Sequence, residues 1–208
     1  MAVIPFYGGS HPDLFALERR AMDRAGRVID HLDRRLPGGR VLDVGAGNGH
    51  TAAALTASDR LVVGLEPDLR MIDPSVGIPW AAGDAAALPF ADDAFDAVYA
   101  TWAYFFPGFW DIGPGLAEAE RVTRPGGSIV VVDNLGDDEF CALAGNDIAA
   151  DADWWEAAGF ELAVVETAFE FDDLAEARRL LGWFFGDRGR DGAARRVGFR
   201  VGVFSRVV

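Results

Sequence analysis

The spacing of apolar positions changes along this chain, and each spacing predicts a different element. Over residues 12–36 they recur every three or four positions with arginine and aspartate between them, which predicts one amphipathic helix ending before Pro37-Gly38-Gly39. The short apolar run at residues 41–44 predicts a strand, and residues 50–55 suit a helix. A second apolar run at residues 61–65 completes a strand, helix, strand unit.

Short apolar runs continue to alternate with helical stretches along the rest of the chain. Further strands are predicted near residues 79–82 and at 96–100, 128–132, 160–167 and 196–207, and further helices at 116–122 and 172–185. Continuous apolar runs are typical of parallel strands that are covered on both faces. The last run alternates with polar residues, as an antiparallel edge strand does. The predicted fold is therefore a doubly wound α/β sheet with helices on both faces.

The composition excludes several reaction classes, because all 19 basic residues are arginine and no lysine occurs. A pyridoxal phosphate aldimine, a phosphate-binding loop with Gly-Lys-Ser/Thr, a protein kinase and a Tyr-x-x-x-Lys dehydrogenase each need a lysine. The absence of lysine therefore excludes all four of these functions.

The net charge of −14 weighs against a nucleic-acid partner, since phosphate backbones are bound through basic surfaces. Residues 177–208 carry eight arginines against two acidic residues, which we interpret as a solvated basic surface; an anion or nucleic-acid site is the alternative. No apolar run is long enough to cross a membrane and no leader pattern stands at the N-terminus, so a cytoplasmic protein is expected, as a monomer or a homodimer.

Cysteine and histidine are too few for a disulfide or a thiolate zinc site. Cys141 is the sole cysteine, and His11, His31 and His50 are dispersed. A lone cysteine is usually a small apolar core residue, and we predict that role for Cys141. His31 falls in the middle of the first predicted helix and is read as a surface or packing residue.

The residues that follow the predicted strands are the candidates for chemistry, because open α/β sheets bind ligands at the carboxyl ends of their strands. The first strand runs into Gly45-Ala46-Gly47-Asn48-Gly49, and the second ends on Glu66, 21 residues beyond Gly45. That spacing is close to the one at which an acid reaches ribose hydroxyls in nucleotide-binding units. A nucleotide-containing ligand is therefore predicted at this edge.

The glycine turn alone does not identify which nucleotide is bound. Read from Gly47, the sequence Gly-Asn-Gly-His-Thr-Ala fits the dinucleotide pattern, so a nicotinamide oxidoreductase is one alternative. A non-catalytic nucleotide-binding module is another, because a fold by itself does not imply a reaction.

Four segments, in order, resemble the class I S-adenosylmethionine-dependent methyltransferases of the small-molecule, methyltransferase-11-like type. They are Val41-Leu42-Asp43-Val44-Gly45-Ala46-Gly47-Asn48-Gly49, Gly83-Asp84-Ala85-Ala86-Ala87-Leu88-Pro89-Phe90, Phe95-Asp96-Ala97-Val98 and Glu120-Arg121-Val122-Thr123-Arg124-Pro125-Gly126-Gly127. Together with the strand that follows, they span residues 41–133, nearly half of the chain. The resemblance implies a seven-stranded sheet of order 3-2-1-4-5-7-6 with the last strand antiparallel.

The resemblance also implies a cofactor, S-adenosylmethionine, and the residues that hold it. The glycine turn would wrap the methionyl part, Glu66 would take the ribose hydroxyls, and Asp84 and Ala85 would face the adenine. The full expected set is Asp43, Gly45, Ala46, Gly47, Asn48, Gly49, Glu66, Pro67, Asp84, Ala85, Ala100 and Thr101. We expect one methyltransferase domain over 1–208, with an N-terminal lid and helix at 1–36, the cofactor-binding core at 40–134 and C-terminal strands and helices at 135–208.

An aromatic segment follows the fourth strand, where the acceptor of the methyl group would lie. Six of the nine residues at positions 102–110 are aromatic, which predicts a pocket for a small hydrophobic or aromatic molecule. The expected pocket residues are Tyr7, Trp102, Tyr104 and Phe105. Candidate general bases are His11, Tyr104 and Asp133. No metal is expected, because the second aspartate of the magnesium-dependent catechol-type enzymes is missing after the fourth strand.

Overall fold

The computed structural model describes residues 7–103, 111–145 and 148–208. Seven strands form one sheet: β1 (Gly39–Val44), β2 (Arg60–Leu65), β3 (Trp80–Ala81), β4 (Phe95–Thr101), β5 (Thr123–Asn134), β6 (Glu161–Glu170) and β7 (Arg196–Val207). The helices are α1 (Pro12–Ala21), α2 (Arg27–Arg35), α3 (His50–Leu55), α4 (Gly113–Val122), α5 (Glu139–Leu143), α6 (Ala152–Ala157), α7 (Leu174–Phe185) and α8 (Asp187–Asp191), and a short 3-10 turn (Tyr7–Gly9) precedes α1.

The sheet has the strand order β3-β2-β1-β4-β5-β7-β6. Strands β1 to β5 are parallel to their neighbours, and β7 runs antiparallel between β5 and β6. The fold class and strand order expected from the sequence are confirmed. The chain order reverses between β1 and β4, and a ligand crevice opens at such a point in open α/β sheets.

Both faces of the sheet are covered, which is why the central strands read as continuous apolar runs. One face packs Val41, Tyr99 and Val132 against α1, α2, α3, α5 and α7. The other packs Leu42, Val98 and Val131 against α4 and α6. Alternate residues of each strand therefore point to different helical layers.

The N-terminal helical region is broken, so the prediction of one helix over residues 12–36 was wrong. Helix α1 ends at Ala21, and α2 begins at Arg27 after Gly26, whose φ is +69°. The Asp23 carboxylate accepts hydrogen bonds from the backbone N–H groups of Arg27 and Val28, at 3.0 and 2.8 Å, and these N–H groups have no partner within the helix. The apolar spacing runs through the break, so periodicity alone does not reveal it.

Cys141 is a core residue, as predicted. It is buried in the layer that contains α5, and burial raises the pKa of its thiol to about 12. A thiol with such a pKa is an inert packing group. In the part of the chain that the structure describes, no helix is long and apolar enough to cross a membrane.

Candidate functional site

The glycine turn lies between the carboxyl ends of β1, β2 and β4. The backbone N–H groups of Gly45 and Ala46 both donate to Leu65 O, at 2.9 and 3.0 Å, which ties the turn to the end of β2. Gly45 has a φ of +76°, and a Cβ atom built on it would lie 2.5 Å from Ala103 Cβ. A side chain is therefore excluded at Gly45 both by backbone conformation and by the approach of the residue after β4.

Glu66, the residue after β2, is hydrogen-bonded to the glycine turn. Its side chain is buried, and its two carboxylate oxygens accept hydrogen bonds from Gly47 N at 2.9 Å and from Asp68 N at 3.0 Å. Burial raises the pKa of Glu66, and the two backbone donors oppose that shift. Each carboxylate oxygen has a second lone pair and can accept from a ligand hydroxyl.

Asp43 lies in the same region, one residue before the end of β1. Tyr99 donates its hydroxyl hydrogen to Asp43 Oδ2 at 2.9 Å, and both side chains are buried. Burial raises the pKa of Asp43 to about 7, against the effect of the Tyr99 hydrogen bond. Asp43 Oδ1 is also buried and has no hydrogen-bond partner among the described residues, so a buried acceptor without a donor lies beside the glycine turn.

The other residues expected at the cofactor lie along the same edge. Asp84 Oδ1 accepts from Ala86 N at 2.9 Å in a tight turn that also buries Ala85. Pro67 is exposed directly after Glu66, Asn48 lies within the turn, and Ala100 and Thr101 end β4. The tertiary structure thus places the whole expected set at the carboxyl ends of four strands.

The N-terminal segment, residues 7–21, lies across this edge. A Cβ atom on Gly9 would come within 2.5 Å of Asp68 Oδ2, and one on Gly47 would lie 3.5 Å from the ring of Phe15. Tyr7 at the start of the segment packs on Trp183 of α7, with ring centroids 4.8 Å apart. These contacts join the segment to the loop after β2, to the glycine turn and to α7, so it covers the crevice.

Trp102 follows β4 and has a φ of +47°, which is rare for a bulky residue. Its indole N–H donates to Asn134 Oδ1 at 3.1 Å, and its ring stacks on Phe199 with centroids 6.1 Å apart. Both contacts hold the ring on the face of the sheet that α1 covers. The remaining predicted pocket residues, Tyr104 and Phe105, lie outside the described residues.

Of the three candidate bases, the structure describes His11 and Asp133, and these two lie in different parts of the fold. His11 lies at the start of α1 against Trp183, in a pocket of about 340 Å³ that Arg179 also lines. Asp133 is 2% exposed, and strand alternation directs it to the face opposite Trp102 and Asp43, since Val131 on the same side belongs to the α4 and α6 layer. Burial raises the pKa of Asp133 well above its usual range. Tyr104 lies outside the described residues.

Two side chains of α1 near the site, Glu18 and Arg19, were not among the sequence candidates. Tyr7 donates its hydroxyl hydrogen to Glu18, and burial raises the pKa of both groups. Arg19 lies with its guanidinium carbon 5.5 Å from the Trp102 ring centroid. The sequence contains no signal for either role, because both belong to a helix that reads simply as amphipathic. Among the described residues, no cluster of three or more potential metal ligands occurs.

The comparisons with known proteins agree with this geometry. Residues 42–131 match the family model of a methyltransferase domain. The demethylmenaquinone methyltransferase of Corynebacterium kroppenstedtii is 42% identical over 97 residues, which cover 46% of this chain and 42% of that protein. The enzyme of the same name from Beutenbergia cavernae is 40% identical over 121 residues, covering 54% of this chain and 48% of that protein. Each alignment thus spans less than half of the relative.

Similarity to solved structures extends over almost the whole chain. A structure described as an S-adenosylmethionine-dependent methyltransferase of Thermotoga maritima superposes with a TM-score of 0.62, covers 96% of both chains and is 20% identical. At that identity the likeness concerns the fold. Residues 42–131 thus match the methyltransferase domain family, and the fold built around them is similar to that of a structure described as an S-adenosylmethionine-dependent methyltransferase.

Proposed function

We propose that this chain transfers a methyl group from S-adenosylmethionine to a small hydrophobic or aromatic acceptor. One observation carries the proposal: the glycine turn, the buried Glu66 carboxylate and the unpartnered Asp43 Oδ1 meet at one point of the crevice. The glycine turn leaves space for a ligand to approach the backbone, and the two carboxylates offer hydrogen-bond acceptors. A ligand with hydroxyl and ammonium donors requires both features.

The residues present fit that cofactor. Glu66 has lone pairs left for the two ribose hydroxyls, and the turn of residues 45–49 leaves room for the methionyl chain because no side chain stands on Gly45 or Gly47. Asp43 Oδ1, buried and unpartnered, suits the ammonium of the amino-acid end. Asp84 and Ala85 stand farther along the edge, where the adenine would lie.

Methyl transfer asks the protein mainly to align two molecules and to exclude water. When bound, the cofactor supplies an electrophilic methyl group that passes to the acceptor in a single in-line displacement. The chain contributes the covering segment, residues 7–21, and the ring wall at Trp102. Ordering both reactants in a dry crevice accounts for the larger part of the rate enhancement in such a reaction.

The acceptor is proposed to be aromatic. Trp102, Phe15 and Tyr7 present apolar rings near the crevice, and aromatic surfaces favour flat ligands. The sequence relatives are named demethylmenaquinone methyltransferases, so demethylmenaquinone is the first acceptor to test. A general base is needed only for an acceptor atom that carries a proton.

Calorimetry with the full chain tests the proposal. We expect S-adenosylhomocysteine to bind and NAD not to bind, followed by methylation of at least one member of a panel of quinols and phenols supplied with S-adenosylmethionine. Replacement Trp102→Ala should raise KM for that acceptor. NAD binding without S-adenosylhomocysteine binding would support an oxidoreductase instead, and cofactor binding with no turnover over the panel would indicate a non-catalytic module.

The Glu66→Gln replacement should weaken S-adenosylhomocysteine binding by about 1 to 3 kcal/mol, because an amide offers one acceptor in place of two charged ones. The same change removes an acceptor from Gly47 N or Asp68 N. Isothermal titration of the variant measures the loss. Asp92→Asn is the control, since Asp92 lies on the exposed surface and pairs with Arg121. Equal affinities for wild type and Glu66→Gln would rule out a ribose-binding role for Glu66.

A further inference from the structure

Arg19 lies on α1 near the end of the covering segment, and its guanidinium is close to two aromatic rings. Its guanidinium carbon is 5.5 Å from the ring centroid of Trp102 and 5.8 Å from that of Phe15. Phe15 in turn stands over Gly47, and the residue after Trp102 stands against Gly45. The guanidinium is therefore held between α1 and the turn by two aromatic rings.

In the part of the chain that the structure describes, no acidic group forms an ion pair with this cation. Within the described ranges 7–103, 111–145 and 148–208, Arg19 forms no ion pair; its Nη2 contacts Met22 Sδ at 3.3 Å, and its buried Nε has no hydrogen-bond partner. A thioether is a weak acceptor, and burial of a guanidinium without an anion is unfavourable. The neighbouring Glu18 is hydrogen-bonded to Tyr7. Burial lowers the pKa of Arg19, while Asp43 and Glu18 oppose that effect.

The Asp43 carboxylate, which has one oxygen without a partner among the described residues, lies in the same region. Asp43 Oδ1 is buried without a donor, and no ion pair joins it to Arg19 in the described structure, although the two groups interact electrostatically. Within the described residues, Arg19 Nε and Asp43 Oδ1 each lack a hydrogen-bond partner, and the two groups do not pair with each other. Together they are complementary to a zwitterion placed between them. An α-amino acid group has that charge pattern.

We propose that Arg19 binds the carboxylate of the amino-acid end of S-adenosylmethionine while Asp43 accepts from its ammonium. The inference rests on the proposed function and adds to it a binding residue outside the family-matched segment 42–131. A bound carboxylate would accept a hydrogen bond from Arg19 Nε. This contact would hold α1 over the crevice.

Removal of the carboxylate from the ligand isolates its proposed contact with Arg19. S-Adenosylhomocysteine is compared with its decarboxylated analogue, S-adenosyl-3-thiopropylamine, which keeps the ammonium but lacks the carboxylate. Titration calorimetry measures both ligands on wild type, Arg19→Met and Arg20→Met. Arg20 is the matched control because it is the next residue of the same helix and is exposed, pairing with Glu176 and Asp172.

We expect wild type to prefer S-adenosylhomocysteine by about tenfold or more, and Arg19→Met to lose most of that preference by weakening only the carboxylate-bearing ligand. Arg20→Met should behave as wild type. Equal weakening of both ligands by Arg19→Met would show that Arg19 merely supports the fold, and unchanged affinity would remove it from the site; either result overturns the inference. Should wild type bind neither ligand, the proposed function itself fails, which is a distinct outcome.

Discussion

Replacement of Gly45 by alanine is expected to lower the free energy of unfolding by about 2 to 4 kcal/mol and to weaken S-adenosylhomocysteine binding about tenfold or more. An L residue at a φ of +76° costs about 1 to 2 kcal/mol. The new methyl group would also lie 2.5 Å from Ala103 Cβ, and overpacking of this kind costs about 1 to 3 kcal/mol. Because the turn carries the cofactor-facing backbone, its displacement also misaligns the ligand. Urea unfolding and calorimetry measure the two effects.

Two further variants separate conformational strain from the steric clash. Gly126 has a φ of +80° with open space around a built Cβ, so Gly126→Ala should show the conformational cost alone, about 1 kcal/mol. In the double variant Gly45→Ala/Ala103→Gly the overlapping methyl is removed, and stability should return to the level of Gly126→Ala. If Gly45→Ala is no less stable than Gly126→Ala, the close approach of Ala103 does not constrain the turn.

Replacement of Arg60 by methionine is expected to destabilise the protein by about 3 to 5 kcal/mol. The Arg60 side chain is buried at the start of β2 and donates to four backbone carbonyl oxygens, those of Asp33, Leu36, Pro37 and Leu55, at 2.9 to 3.2 Å. Methionine fills part of the space but leaves these acceptors without donors. Thermal unfolding should show a Tm lower by roughly 10 °C.

The ion pair of Arg60 is a minor part of this effect. Asp33 accepts from Arg60 at 2.7 Å but has a side chain that is 58% exposed, and exposed pairs contribute less than about 1 kcal/mol. The Asp33→Asn variant should therefore stay close to wild type. Arg60 lies at the amino end of β2, away from the glycine turn, so S-adenosylhomocysteine affinity should be retained by Arg60→Met at low temperature. A large loss in Asp33→Asn would assign the stabilisation to the charge pair instead.

The strands themselves, and the glycine turn that follows β1, could be predicted from local pattern. Apolar runs give the strands, the turn at residues 45–49 gives the point where β1 ends, and Glu66 follows β2 at a regular distance. These features depend on residues close together in the chain. Backbone conformation and strand burial respond to such short-range signals.

The break between α1 and α2 shows where local pattern was insufficient. Apolar spacing continues through residues 22–26, yet the chain turns there because Asp23 caps α2 and because Thr167 of β6 donates its hydroxyl hydrogen to Asp23 Oδ1. The partner is 144 residues away in the chain. A turn held by so distant a contact has no signature within the window over which periodicity is read.

Sequence pattern was sufficient for the fold class and, through the family resemblance, for the strand order. Only tertiary packing decided which side chains of α1 face the Trp102 ring and which face solvent. Arg19 and Arg20 are adjacent and chemically identical, but the helix turns one toward Trp102 and the other toward Glu176. Likewise Asp133 and Asn134 follow each other on β5, and the strand directs only Asn134 toward Trp102. Residue identity defines the available chemistry, whereas the direction of each side chain depends on which layer covers that face, a property of contacts between segments far apart in the chain.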